Sequence, residues 1–359
     1  MERLAPLREK IDALDNQMLA LLNARVKTVL EIAEIKQQTQ ACAFVPSREQ
    51  EIYARLIQNN PGPLGQDALV RIFREVVSAS RAMEGPVTVA YLGPRATFTH
   101  RAALCYFGGS VKDLPFPTIQ AVFEEVERDR VDFGVVPIEN STEGVVNHTL
   151  DLFLDSQVQI FGEIMQEIEQ HLLASHHDIT QVQCVCSHPH ALAQCKDFLR
   201  VHMPGIALRD VESTAHAAEM ARDNPHIAAI ASELAAQLYH LVILKRRIED
   251  HPHNATRFLI VSKQTPPRGQ HHRTSLLLGV QDKAGALYEI LRPFSERKIN
   301  LTRIESHPSR RKAWEYFFYI DAEGHVEDPP LQSALDEIRR FAVFIKILGA
   351  YPAVSGRSA

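Results

Sequence analysis

LAPLREKIDALDNQMLALLNARVKTVLEIAEIKQQ, residues 4–38, is an almost unbroken heptad. Leu4, Leu7, Ile11, Leu14, Met18 and Leu21 keep the alternating three-four spacing of a helical seam; Arg25 and Thr28 hold the next two seam positions, and Ile32 and Ile35 resume it. At 1.5 Å per residue such a helix is about 50 Å long and overhangs any compact small domain. A lone guanidinium in a buried seam costs several kcal/mol unless something negative meets it, so Arg25 points to an anionic ligand inside a helical bundle.

The pattern predicts two further helices, over 46–58 and 67–83, separated by a loop at Pro61, Gly62, Pro63 and Gly65. Three helices with one oversized predict an intertwined dimer. Arg25 and Lys36 differ by only about 20° around the helix and face one direction, whereas Arg8 lies about 25 Å away along the axis and reaches that face only from the partner in an antiparallel dimer. Arg48 and Glu49 on the second helix, and Ser80 and Glu84 at i,i+4 spacing on the third, complete a polar pocket.

After Gly85 and Pro86 the pattern switches to short β-rich runs at 87–92, 131–136, 158–161, 182–186, 227–231 and 257–261, alternating with helical stretches. Their number suits two small sheets; a chain that crosses to a second lobe after about Phe161 and returns near Ile248 encloses a cleft. Three loops at strand ends are rich in hydrogen-bonding groups: Thr97-Phe98-Thr99, Glu139-Asn140-Ser141-Thr142-Glu143-Gly144 and Asn254-Ala255-Thr256-Arg257-Phe258. Helix caps account for Ser141 or Thr142 and for Ser213 or Thr214, but caps do not call for Thr256-Arg257. Residues 262–273 read as a linker, and the remainder follows a βαββαβ order, the ferredoxin-like arrangement.

The 359 residues carry a formal charge of −5, which argues against nucleic acid or an anionic membrane as the main partner. Without an apolar leader or a long uncharged apolar stretch, a cytoplasmic protein is expected. Five cysteines without regular spacing fit reduced thiols. Cys184, Cys186, His188 and His190 share one parity, but Pro189 sends the chain out of the strand, so no metal is expected there.

Leu7-Arg8-Glu9-Lys10, Arg25, Lys36, Arg48-Glu49, Ser80 and Glu84 resemble the all-helical chorismate mutases. The resemblance implies rearrangement of chorismate to prephenate in a homodimer. Arg8 of one protomer and Arg25 of the other would hold carboxylates, Lys36 and Glu84 would bond the ether oxygen, Arg48 and Ser80 would position the substrate, and Glu49 would accept from its hydroxyl. Many relatives carry Gln where Glu84 stands. A carboxyl group donates only when protonated, so mutase activity is expected to fall as pH rises; a rate unchanged from acid to alkaline pH removes Glu84 from that role. Val45 stands where some relatives have Asp, which implies a missing polar contact.

The middle segment resembles prephenate dehydratase through Val-Pro-Ile-Glu-Asn-Ser-Thr-Glu-Gly (136–144), Ser187-His188-Pro189, Gln194, Glu212-Ser213-Thr214 and Thr256-Arg257-Phe258. The implied reaction expels carbon dioxide and hydroxide from prephenate and leaves phenylpyruvate, with no cofactor. By that analogy Thr256 sits at the leaving group, Asn140, Ser187 and Gln194 complete the site, and Arg257 meets a carboxylate; Glu139, Glu212 and His171 are alternative proton sources. Arg95-Ala96 departs from the charged-residue-then-Gly usual after Gly93-Pro94. Gly285-Ala286-Leu287 and Glu305-Ser306-His307-Pro308 resemble the ACT domain of aromatic-pathway dehydratases, which implies phenylalanine as effector, with His307 in place of a common Arg. The architecture expected is multidomain: an all-α intertwined helical domain over residues 1–85, a two-lobed, periplasmic-binding-protein-like α/β domain over 86–263, and an α+β ferredoxin-like domain over 273–352. Two other readings stay open, a dehydratase whose helical segment only dimerises and a non-catalytic sensor of an aromatic metabolite.

Overall fold

The computed structural model describes residues 4–39, 46–85, 87–269, 271–281, 283–308 and 316–353, without the side chains of 36–39, 46, 47, 50 and 308. The chain forms two compact units: one runs to Thr88 and takes in Phe107–Lys112, the other comprises Val89–Tyr106 and the chain from Asp113 onward.

The first unit is helical: α1 (Ala5–Thr39, 35 residues), α2 (Pro46–Gln58) and α3 (Gln66–Ala82). Leu69 and Val77 of α3 are buried, and so are the polar Ser78, Ser80 and Arg81. Gly108, at φ +82°, packs against α3 so closely that a Cβ would lie 2.3 Å from Ser78 Cβ, so only glycine fits there. The apolar seam of α1 faces outward, with Leu7 58%, Ile11 57% and Leu21 70% exposed.

The second unit begins with β1 (Thr88–Leu92), α4 (Phe98–Phe107), β2 (Lys112–Phe116), α5 (Ile119–Glu127), β3 (Phe133–Asn140), the two-residue β4 (Gly144–Val145), α6 (Asn147–Asp155) and β5 (Gln159–Glu167). A second lobe follows: β6 (His171–Ala174), β7 (Cys184–Ser187), α7 (Pro189–Gln194), α8 (Lys196–His202), β8 (Ala207–Asp210), α9 (Thr214–Asp223), β9 (Ile227–Ala231), α10 (Glu233–Tyr239) and β10 (Val242–Lys245). The chain then returns as β11 (Ala255–Ser262) between β3 and β5, giving a first sheet in the order β2-β1-β3-β11-β5 and a second in the order β10-β6-β9-β7-β8. The outgoing and returning crossings are tied together, Ile168 N–H donating to Asn254 O at 2.8 Å and Ile248 N–H to Gln170 O at 2.8 Å. Two small sheets are thus observed, and β3, β5 and β11 are longer than the apolar runs suggested. β3 extends through Asn140 and β11 begins at Ala255, because their polar ends pair with each other, Thr256 opposite Asn140 and Arg257 opposite Glu139.

The C-terminal segment is β12 (His272–Val280), α11 (Ala286–Glu296), β13 (Leu301–Pro308), β14 (Tyr316–Glu323), α12 (Pro329–Ile338) and β15 (Ala342–Pro352), in the antiparallel order β13-β14-β12-β15. This is the expected ferredoxin-like topology. Its helices cover one face through Ile290, Phe294, Leu331, Leu335 and Ile338. On the other face Leu277, Tyr319, Leu348 and Tyr351 share a core with Val136, Ile160 and Leu259 of the first sheet. At Gly349 a Cβ would lie 2.3 Å from the Ile160 carbonyl oxygen, so the absence of a side chain lets β15 approach β5.

Candidate active sites

In the helical unit, Arg25 interrupts the apolar seam where α1 meets α3. Its Nη1 donates to Ser80 Oγ and, at 3.4 Å, to the Val76 carbonyl; Ser80 Oγ in turn donates to Val76 O at 2.6 Å. Glu49 Oε1 accepts from Arg81 Nη1 at 2.5 Å, and its other oxygen accepts from Tyr53 hydroxyl at 3.2 Å. Burial pushes the Glu49 carboxyl above its ordinary range, with the Arg81 charge opposing that shift. Arg81, 5% exposed, also donates to the Phe107 carbonyl. Arg81 was not among the residues expected from the sequence; it is buried on α3 together with Ser80. Glu84 is half-buried just beyond α3, Arg48 is exposed and pairs with Glu51 at 2.8 Å, and Arg8 is exposed on α1. The Lys36 side chain and Val45 lie outside the described residues.

Where β3 ends and β11 begins, Asn140 is saturated with hydrogen bonds. Its Nδ2 donates to Thr256 Oγ1 and to Asn254 Oδ1, both at 2.8 Å, and its Oδ1 accepts from the backbone of Thr142 at 2.9 Å and of Glu143 at 3.0 Å. Asn140 therefore fixes the loop after β3 and fixes Thr256, whose own O–H remains a donor because its oxygen is the acceptor. The loop is further stitched to β11, Ser141 Oγ accepting from Ala255 N–H at 2.9 Å. From the second lobe Gln194 donates to Glu143 Oε1 at 3.3 Å and accepts from Gln170 at 3.3 Å, while His190 Nδ1 lies 2.8 Å from Glu143 Oε2. Asn140, Thr256 and Gln194 are thereby brought into one bonded chain across the lobes. Ser187 is fully buried at the end of β7 and donates to Ile230 O at 2.6 Å. Pro189 occupies the first turn of α7 with His188 as its cap, as its helix-starting chemistry demands.

Gln166, 8% exposed, is the register partner of Thr256 on the β5 side, so Asn140, Thr256 and Gln166 stand in one row across three strands. The sequence reading ended the 158 strand too early to place it. Ala96, where a glycine was expected, adopts φ +69°, a left-handed conformation that costs a non-glycine residue about 1 kcal/mol. It is buried, and its carbonyl accepts from Ser232 Oγ at 3.2 Å.

Arg257 corrects the reading of it as a substrate partner. Successive strand residues point to opposite faces, so Arg257 faces away from Thr256. It is 5% exposed, donating to Glu163 at 2.7 Å, to Asp321 at 2.6 Å and to Tyr351 hydroxyl at 3.0 Å. Glu139 shares that far face and accepts from Arg303, which takes it out of the cleft as a proton source. His171 is buried, which lowers its pKa and keeps it neutral, and its Nδ1 accepts from Arg247 N–H at 3.0 Å; a neutral imidazole so held is a poor acid. Glu212 is exposed beside His216 at 3.2 Å.

In the C-terminal segment Gly285 caps α11 at φ +84°, followed by Ala286 and Leu287 in the first turn. Glu305 and Ser306 lie on β13 with Glu305 3.9 Å from Arg303. His307 at the end of β13 meets Asp151 of the first lobe at 2.5 Å. Among the described residues no group of three or more His, Cys, Asp or Glu side chains is placed to hold a metal ion, and no helix is long and apolar enough to cross a membrane.

The chain matches the family models of chorismate mutase type II over residues 7–85, prephenate dehydratase over 89–266 and the ACT domain over 274–340. It is 48% identical to a bifunctional chorismate mutase/prephenate dehydratase of Aquifex aeolicus, covering 98% of both chains, and 43% identical to one of Pseudomonas aeruginosa over the same shares. A prephenate dehydratase of Arthrobacter aurescens solved in complex with L-Phe superimposes with a TM-score of 0.69 at 34% identity, covering 76% of this chain and 92% of that one.

Proposed function

The chain belongs to the family of bifunctional chorismate mutases/prephenate dehydratases, and from that premise we propose how its residues divide the work. The protein converts chorismate to prephenate and prephenate to phenylpyruvate in phenylalanine biosynthesis, and phenylalanine inhibits it. The division into residues 1–85 for the mutase, 86–263 for the dehydratase and 273–352 for the sensor follows the changes of sequence pattern. The exposed seam of α1 supports a homodimer in which a second copy covers Leu7, Ile11, Leu14 and Leu21. A cytoplasmic enzyme fits these substrates.

The mutase step is pericyclic and transfers no proton, so the site contributes a compact substrate conformation and cations where the ether oxygen gains charge. Arg25, half-buried against α3 and held by Ser80, is placed as a carboxylate clamp. Lys36 and Glu84 serve the ether oxygen. Arg8 of the partner and Arg48, both exposed in the single chain, close over the substrate on assembly. Arg25→Ala is expected to lower mutase kcat/KM by about 100-fold or more, the value of a charge-assisted bond to a carboxylate, and to leave dehydration of added prephenate within twofold. Steady-state assays of both reactions on one preparation check it; equal losses in both would point to misfolding instead.

In the dehydratase the observation that carries the reading is the Asn140–Thr256 bond in the cleft. Departure of the carboxylate as carbon dioxide supplies the electron pair that expels the ring hydroxyl, so the enzyme's task is to donate a proton or hydrogen bond to the leaving oxygen. Thr256 is held for that donation by Asn140. Gln194, bonded to Glu143, closes the second lobe over the substrate, and Ser187 shapes that wall.

The test is to supply purified protein with chorismate and follow prephenate and phenylpyruvate in time, with and without phenylalanine. Both products are expected, with phenylpyruvate suppressed by phenylalanine. Persistence of chorismate while added prephenate is consumed would reduce the helical unit to a scaffold.

A further inference from the structure

Glu139-Asn140 ends β3 and Thr256-Arg257 begins β11, and the two dipeptides are register partners. Asn140 and Thr256 face the cleft; Glu139 and Arg257 face the C-terminal sheet, where each is met by an opposite charge. Arg303 of β13 donates to Glu139, and Arg257 donates to Asp321 of β14 at 2.6 Å. Glu163 of β5 joins them, accepting from Arg257 at 2.7 Å and from Arg273 of β12 at 2.6 Å. Ser275 Oγ and the Tyr351 hydroxyl, 2.6 Å apart, fill in around Asp321 and Arg257. Burial drives the Tyr319 and Tyr351 hydroxyls upward in pKa, so both stay protonated.

The central three of these charges are nearly closed to water, with Arg257 at 5%, Glu163 at 4% and Asp321 at 0% exposure. Apolar side chains of similar volume would join the two sheets at least as firmly, so stability alone does not require ions here. The ladders also slip beside the ionic residues: between Arg257 and Phe258 in β11 against β3, between Leu301 and Arg303 in β13 against β14, and between Ser275 and Leu276 in β12 against β15. Such irregularities bend a strand and loosen its pairing, and they recur next to active sites. Directional ionic contacts thus meet these strands where their ladders are irregular.

We propose that this ionic set transmits the state of the C-terminal domain to the dehydratase cleft: Arg257 and Glu139 are positioning residues for Thr256 and Asn140, held from the far side by Asp321 and Arg303. The proposal rests on the reading of the cleft as the dehydratase site and of the C-terminal domain as its phenylalanine sensor. A displacement of the C-terminal sheet pulls on Glu139 and Arg257, and each shares a peptide bond with a cleft residue.

The full-length protein and its Arg303→Gln, Arg303→Lys and Asp321→Asn variants are compared in phenylalanine binding by calorimetry and in dehydratase inhibition by graded phenylalanine. Arg303→Gln and Asp321→Asn are expected to bind phenylalanine within about threefold of the parent and to need at least about tenfold more of it for half-inhibition, a typical size for a broken coupling. Arg303→Lys, which keeps the charge, restores most of the response. A purely structural role would lower stability or basal rate in proportion and leave the inhibition curve in place; that result in both variants overturns the proposal. If Asp321→Asn does not fold, Arg303→Gln decides alone, since the Glu139 side chain it leaves behind is 40% exposed and hydrates readily. A parent enzyme that consumes no prephenate, or ignores phenylalanine, fails the underlying functional reading first.

Discussion

Thr256→Ala is expected to lower prephenate turnover by about two to three orders of magnitude, the usual cost of removing one aligned donor from a site of developing charge. The hydroxyl stands at the end of a short chain of positioning. Asn140 donates to it at 2.8 Å, and that same amide is fixed by Asn254, Thr142 and Glu143. Alanine leaves the amide in place but deletes the donor, so the loss falls on kcat with KM changed little. Thr256→Ser keeps the hydroxyl and retains most of the rate. The mutase reaction, carried by the other compact unit, serves as the internal reference and stays within twofold. Steady-state kinetics on prephenate check this, and an alanine variant with the parent's kcat would remove the hydroxyl from the chemistry.

Arg257→Met is expected to destabilise the second unit by about 3–5 kcal/mol, because it removes the cation from between two carboxylates that are closed to water and leaves Asp321 without its charge partner. The Glu163 and Asp321 side chains are each 1% exposed. Glu163 keeps Arg273, and the Asp321 carboxylate keeps the uncharged Ser275 hydroxyl. Methionine fills the volume of the arginine stem, so the loss is electrostatic and not a cavity. Replacing Asp321 by leucine in the same variant is expected to recover much of the stability, since a pair removed together leaves fewer uncompensated charges. Urea unfolding followed by a probe in the second unit measures both; an Arg257→Met protein as stable as the parent would mean that the cluster is hydrated.

The sequence was most informative where a local rule had one solution. The heptad of α1 with Arg25 at a seam position implied an anionic ligand; in the single chain the guanidinium donates instead to the neutral Ser80 hydroxyl and the Val76 carbonyl. Asn140 and Thr256 were legible as polar residues at strand ends, although 116 positions separate them. Arg257 was misread because the strand was started at Arg257 itself; once β11 begins at Ala255, alternation alone sends residues 256 and 257 to opposite faces. Its partners were out of reach. Glu163 and Asp321 lie 94 and 64 positions away, on strands whose charged residues look like solvent-facing ones until the sheets pack. Arg81 was hidden likewise, since an arginine on an amphipathic helix is ordinarily solvated.

The lobes of the cleft are joined by two crossings that are bonded to each other, Ile168 to Asn254 and Ile248 to Gln170. A single strap would permit twisting, sliding and bending alike. Two tied straps resist the first two motions, because either would shear the bonds, and leave one rotation about the line of the straps. The lobes are therefore expected to move as a door on a hinge. With the dehydratase site placed between the lobes as proposed, entry of prephenate, shielding of the leaving hydroxide from water and escape of phenylpyruvate are all expected to use that one angle, and a molecule that bridges the Glu143–Gln194 edge would bar the same door to every other.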